Sequence, residues 1–247
     1  YHSVAARAVA ARADLLGLPY VCSSAVLDHL VDHPSDWVAR LAPAQSHGWR
    51  IYADFLADAG HERVAVAGQP SVYWDAGIGV LTDRLGERGC TLVRLDGPDP
   101  AAVPDELAAR GATALLLLVG FPEPAVSLVR AVRRDPRLTA LAIGAPAGQP
   151  ELPTWRTHLG DDGGEVSFLR YLPARLGPRG TRVQAVLRHR LGATPSFVAF
   201  EGHDTITLLV DALGRAGARR PVDWGQAGID GTRGGIELSR NHGTGVW

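Results

Sequence analysis

Apolar positions along the chain alternate between two spacings. Over residues 3–16 the Ala and apolar positions recur at helical intervals, Gly17 ends the run, and residues 18–22 form a short apolar stretch of β character. The same unit of helix, glycine and strand returns as residues 49–58, Gly60 and 63–67, then as residues 75–88, Gly89 and 91–95. It continues with a helix over 104–110, a strand over 112–119, a helix over 123–134 and a strand over 138–143. The 112–119 stretch is apolar at every position but Thr113, as a strand covered on both faces must be. Regular alternation of this kind predicts an α/β fold, a doubly wound parallel sheet with crossover helices.

After Gly144 the chain turns rich in Gly and Pro as far as Pro153, and a weak strand at 166–171 leads into a turn region over 173–180. The chain is expected to cross between two lobes in this stretch. Two more helices follow, 181–191 and 200–216, before a Gly-rich tail whose β-like pieces, 235–238 and 245–247, read as a hairpin.

Composition narrows the partners. The net charge of -1 offers no basic field for a phosphate backbone, so no nucleic acid is expected. No apolar run approaches the roughly 20 residues that span a bilayer, so no direct membrane insertion is expected. Cys22 and Cys90 are the only thiols, too few for a disulfide framework, and no CxxC pair occurs.

Enzyme signatures are missing as well. Gly77-Ile78-Gly79 lies within a helix and lacks the third glycine of a dinucleotide loop, which makes it a helix-packing feature. Ser23-Ser24 lacks the glycines of a nucleophile elbow, and His61-Glu62 stops short of HExxH. No catalytic residue, metal site or cofactor is therefore assigned. In open α/β sheets ligands bind beyond the carboxyl ends of the strands. Here those ends carry Ser23 and Ser24, Tyr73 and Trp74, Phe121, and Ala145-Pro146. An aromatic wall facing a few hydroxyls suits a small ligand with an apolar body.

In this order the pieces resemble the type I periplasmic solute-binding proteins, and among them the branched-chain amino-acid, amide and urea receptors. The resemblance is carried by Gly17-Leu18-Pro19 leading into Cys22-Ser23-Ser24-Ala25-Val26, and by Arg40-Leu41-Ala42-Pro43 with Gln45 and Gly48 at the first crossing. Residues 63–79 and 114–134 also fit, as do His203-Asp204-Thr205 in place of a Tyr-Asp-Ala helix and Gly231-Thr232-Arg233-Gly234-Gly235-Ile236-Glu237-Leu238 in place of a Gly-x-Thr-Gly-x-Ile-x-Phe hairpin.

The resemblance implies two Rossmann-like lobes joined by crossing strands: residues 1–41 with 171–247, lacking the first strands of that lobe, and residues 42–170. It implies the receptor of an ABC importer, which closes over a small-molecule ligand held in an interlobe cleft and hands it to a membrane permease from an extracytoplasmic position. By the same resemblance Ser3 is the ligand-holding serine, Tyr73 the covering tyrosine and Phe121 the second aromatic. Trp74 stands beside Tyr73, and Gln45 sits where some relatives carry an acid. The threonine position falls on Val26 and the acidic position near Ala145-Pro146, so half of an amino-acid grip is absent. His2, Ser3, Ser23 and Ser24 remain to hydrogen-bond an acid, amide or hydroxyl, and Glu201 would answer an ammonium if the start of its helix points into the cleft. The expected ligand is neutral or anionic with an aromatic or aliphatic body. Cys22 and Cys90 fall in different lobes and are expected to be free. Two other readings stand beside the importer: a cytoplasmic amide-type sensor controlling a partner protein, and a hydrolase on a Rossmann-like sheet.

Overall fold

The computed structural model describes residues 3–31, 35–217 and 220–238, together with the backbone of 245–246. The chain forms two compact units, Tyr1–Gln45 with Leu172–Trp247, and Ser46–Tyr171. The expectation put these crossings at 41/42 and 170/171; Gln45 thus belongs to the first unit.

The first unit opens with helix α1 (Ser3–Leu16), strand β1 (Tyr20–Cys22) and strand β2 (Val38–Arg40). Helix α2 (Gln45–Asp58) starts on the last residue of the first unit's opening segment and leads into the second unit, where β3 (Arg63–Gly68), α3 (Val72–Glu87), β4 (Thr91–Arg94), α4 (Val103–Arg110) and β5 (Ala114–Leu118) alternate. They are followed by α5 (Ala125–Arg134), β6 (Ala142–Gly144), α6 (Thr154–Leu159) and β7 (Val166–Ser167). The chain returns to the first unit with α7 (Pro178–Leu191), α8 (Phe197–Ala216), β8 (Gly228–Asp230), β9 (Gly235–Leu238) and β10 (Gly245–Val246).

The second unit is the doubly wound lobe that the alternation predicts. Its five strands are all parallel in the order β4-β3-β5-β6-β7. Strand β5 is central, and every one of its residues is buried. Its side chains alternate between layers, as the pleat requires. Leu115 and Leu117 pack with Leu107, Leu128, Val129 and Trp155. Leu116 and Leu118 pack on the other face with Trp49, Tyr52, Leu81 and Leu85. Three elements differ most from expectation, the first being the strand expected over 166–171, which is only Val166–Ser167. The strand expected over 138–143 shortens to β6, because Asp135 accepts from the backbone N–H of Arg137 at 2.9 Å and caps a 3-10 turn over Pro136–Leu138. Helix α6 was not foreseen; Trp155 and Leu159 bury its inner side.

The first unit is less regular. Among the described residues its parallel sheet consists of the two strands β1 and β2, paired from Tyr20↔Val38 to Cys22↔Arg40. A separate antiparallel sheet, β10-β9-β8, contains the expected hairpin of β9 and β10 plus the unforeseen β8. Val21, Ala39 and Leu41 pack against Leu208 and Ala212 of α8 and against Trp224 and Ile236. Among the described residues, no helix is long and apolar enough to cross a membrane.

Candidate ligand-binding site

In the second unit the chain leaves β3 for β4 on one side and returns to β5 on the other, so the switch point of the sheet lies between the ends of β3 and β5. Gln69 closes this gap. Its backbone N–H donates to the carbonyl of Leu118 at 3.0 Å, and its Oε1 accepts from the N–H of Gly120 at 2.7 Å. Gln149, from the loop beyond β6, donates through Nε2 to the carbonyl of Val119 at 3.1 Å. Two glutamines therefore bind the backbone that leaves β5. Neither was singled out from sequence, since a loop glutamine carries no distinguishing pattern.

Helix α3 begins at this edge. Ser71 caps it, its Oγ accepting from the N–H of Trp74 at 3.1 Å. The cap fixes Tyr73 and Trp74 in the first turn, where they meet Trp49 of α2. The Tyr73 ring stands edge-on to Trp49 at 5.8 Å and to Trp74 at 4.6 Å, and Trp49 and Trp74 lie 6.3 Å apart. Trp49 is buried, whereas Tyr73 and Trp74 are half-buried. Gly77 makes this packing possible, because a Cβ there would come within 1.9 Å of the Trp49 ring. Gly79 meets nothing within 4 Å and has no such role.

Phe121 does not join this cluster, so the single wall of Tyr73, Trp74 and Phe121 is corrected. The alternation of β5 carries on past the strand: Leu115, Leu117 and Val119 face one layer, and Phe121 packs against that same layer. It stacks on Trp155 at 5.4 Å and meets His158 edge-on at 5.5 Å. Tyr73 and Trp74 pack on the opposite layer.

The position expected to carry an acid, Ala145-Pro146, is buried and apolar, with the N–H of Ala145 donating to Ser167 O at 2.8 Å. A carboxylate does occur further along this loop. Glu151 accepts from the N–H of Tyr171 at 2.7 Å, with Arg170 3.9 Å away. Nearby, the hydroxyl of buried Tyr52 lies 2.7 Å from Ser167 Oγ, and burial raises its pKa above the usual phenol range. Gly144 makes room, since a Cβ there would lie 2.0 Å from that hydroxyl.

In the first unit, Ser23 and Ser24 leave the end of β1 half-buried, Ser24 Oγ lying 3.3 Å from Ser23 Oγ. The loop behind them is pinned from β2. The buried Arg40 guanidinium donates to Leu27 O at 2.6 Å and lies 3.4 Å from Val26 O, while the N–H of Gln45 donates to Val26 O at 2.7 Å. Buried carbonyls thus answer a buried charge and hold the serine loop in place. Ser3 is buried in the first turn of α1, and His2 lies outside the described residues.

Glu201 is committed elsewhere. Its carboxylate meets Arg233 at 3.1 Å inside the first unit, with both side chains buried, so its charge is already matched there, which argues against its expected role as partner of a ligand ammonium. Burial lowers the pKa of Arg233, and the facing charges of Glu201 and Asp204 work against that shift. Among the described residues no cluster of His, Cys, Asp and Glu could hold a metal ion.

Residues 1–233 match the family described as periplasmic binding protein, and the chain belongs to that family. It adopts the type I fold of these receptors. A leucine-binding protein from Thermotoga maritima is 20% identical with a TM-score of 0.78; the match covers 99% of this chain and 72% of that one. An ABC transporter substrate-binding protein from Desulfitobacterium hafniense, in complex with Leu, is also 20% identical, with 99% and 72% covered and a TM-score of 0.75. A solute-binding protein of an ABC transporter from Rhodopseudomonas palustris HaA2, in complex with p-hydroxybenzoic acid, is 16% identical, with 99% and 70% covered and a TM-score of 0.82. No curated protein matches the chain. The family is one of solute-binding receptors, and its membership implies an extracytoplasmic location.

Proposed function

We propose that this chain is the solute receptor of an ABC importer, secreted or lipid-anchored, that binds a small ligand without chemical change and delivers it to a membrane permease. The family match over residues 1–233 carries this reading and favours it over a cytoplasmic sensor or a hydrolase. These groups are assigned to the ligand: Tyr73 and Trp74 as apolar surface, and Ser23 and Ser24 after β1, Ser3 at the start of α1 and Gln45 at the start of α2 as hydrogen-bonding groups.

The ligand class follows from charge. A free amino acid brings an ammonium, whose burial costs several kcal/mol unless a carboxylate or a set of carbonyls meets it. Val26 offers no hydroxyl, Ala145-Pro146 no carboxylate, and Glu201 already faces Arg233. An aromatic acid or amide avoids that cost, and p-hydroxybenzoic acid is the ligand of one structural neighbour. A thermal-shift panel of benzoate, 4-hydroxybenzoate, their amides, leucine, isoleucine and valine tests the reading. At a hundredfold excess over Kd a bound ligand adds about 2.7 kcal/mol, or roughly 5 to 10 °C in Tm. Stabilisation by an aromatic acid or amide is the expected result. Stabilisation by leucine, isoleucine or valine alone would overturn the ligand class, and hydrolysis of an ester or amide probe would overturn the receptor reading.

A further inference from the structure

Charge is unevenly distributed along this chain. Residues 166–200 contain six arginines and no Asp or Glu, so this stretch carries +6 and, with a net charge of -1, the remainder carries -7. Five of the six, Arg175, Arg179, Arg182, Arg188 and Arg190, lie on or just before helix α7, and none of their side chains has an ion pair or hydrogen bond among the described residues. Some arginines elsewhere are matched, Arg84 by Asp54, Arg137 by Asp105 and Asp135, Arg215 by Asp211 and Arg233 by Glu201. Others, such as Arg7, Arg12 and Arg50, also stand without an ion pair among the described residues, but not five together on or just before one helix without an Asp or Glu.

Helix α7 is held by its other side. Gly180 is buried so close to the Thr232 carbonyl that a Cβ would lie 2.2 Å from it, and Val183, Gln184 and Leu187 are half-buried at the following helical spacings. Beside that face, Arg179, Arg182, Val186 and Arg190 follow at spacings of three, four and four, which makes a continuous stripe along the helix. Val186 is 53% exposed within the stripe and Leu191 is 57% exposed at its end.

We propose that this stripe docks the receptor on anionic phospholipid headgroups at the membrane where its permease resides. Guanidinium groups pair with phosphate bidentately, and the cations here are arginines without exception. They are spread along the helix instead of converging on one point, which suits a surface of repeating charge. The exposed Val186 and Leu191 among them can enter the headgroup layer, as on interfacial helices. An acidic protein loop would use fewer cations and leave those side chains in water. The inference uses the extracytoplasmic setting of the family and does not depend on which solute is bound.

Cosedimentation with vesicles tests it, comparing phosphatidylcholine alone with an equal mixture of phosphatidylcholine and phosphatidylglycerol. Binding to the anionic vesicles only is expected, with loss at about 0.5 M NaCl, where screening is nearly complete. The triple variant R179Q/R182Q/R190Q should bind about a hundredfold more weakly, and R182Q or R190Q alone about fivefold, at the usual contribution of each juxtamembrane arginine. Unchanged melting by circular dichroism shows that the variants fold, and the single variants at exposed positions stand in if the triple variant does not. Absence of binding to the anionic vesicles, equal binding to neutral ones, or undiminished affinity in folded variants would overturn the proposal. Retention on immobilised polyglutamate without vesicle binding would also overturn it, and would identify an acidic protein surface as the partner.

Discussion

Thr232 gives Asp204 both of its donors: the backbone N–H reaches Oδ1 and the hydroxyl reaches Oδ2, each at 2.8 Å. Both residues are buried, and Arg233 Nε lies 3.5 Å from the same carboxylate. The loop before β9 is therefore tied to the middle of α8 by one side chain. Removing the carboxylate leaves both Thr232 donors unpaired and takes from Arg233 one of its two facing carboxylates, Glu201 remaining, so Asp204→Ala should cost about 2 to 5 kcal/mol. Thr232→Val keeps the backbone bond and should cost about 1 to 2 kcal/mol. Urea unfolding measures both, and a double-mutant cycle should show strong non-additivity. Additive losses would mean that the two residues act independently.

A second tie, in the other unit, responds to pH. Asp54 of α2 accepts from Arg84 Nε and Nη2 at 2.9 and 3.0 Å and from Arg88 Nη1 at 2.8 Å, joining α2 to α3. The hydrogen bonds from Arg84 hold its carboxyl below the usual Asp range. A lowered folded-state pKa means stability that is present above the unfolded value and lost as pH falls through the folded one. Wild type should therefore exceed Asp54→Asn in urea midpoint at neutral pH. The gap should close below about pH 4, near the ordinary Asp pKa. A constant gap down to pH 2 would remove Asp54 ionisation as its cause.

Gly77→Ala is expected to destabilise the chain by about 1 to 3 kcal/mol, the usual cost of overpacking, although alanine is the better helix former. The added Cβ would fall 1.9 Å from Trp49. Gly79→Ala, which meets nothing within 4 Å, should be neutral or stabilising by a few tenths to 1 kcal/mol. Thermal unfolding of the pair separates a packing glycine from a permissive one two residues away.

These cases mark what was legible in the sequence. The second unit's parallel sheet was readable because β3, β5 and their helices each bury enough apolar surface to impose a clear period. The first unit was harder, since β1 and β2 have three residues each and much of its cohesion comes from buried polar ties. Arg40 on the carbonyls of Val26 and Leu27, Glu201 on Arg233 and Asp204 on Thr232 join residues 13 to 32 positions apart. No local spacing announces such pairs. Glu201 looked available for a ligand because its partner follows 32 positions later. Phe121 is a different case: its place after the strand is legible in the sequence, but its side of the sheet depends on carrying the two-residue alternation of β5 through Gly120.

That division of the aromatics gives the last prediction. Tyr73 and Trp74 are half-buried in the first turn of α3, next to the switch point of the sheet, and part of each ring remains open to a solute. Phe121 is engaged in a stack with Trp155, an arrangement worth about 0.5 to 1.5 kcal/mol beyond the area it buries. Tyr73→Ala and Trp74→Ala should weaken binding of the solute selected by the thermal-shift panel by about 1 to 3 kcal/mol, the range for a buried aromatic anchor. Phe121→Ala should instead lower the urea midpoint and leave Kd within about a factor of two, since sites that share no partners couple by only about 0.3 to 0.5 kcal/mol. Isothermal titration of the three variants decides between the two layers. A large loss of affinity in Phe121→Ala, with Tyr73→Ala and Trp74→Ala near wild type, would move the site to the Trp155 side of the sheet.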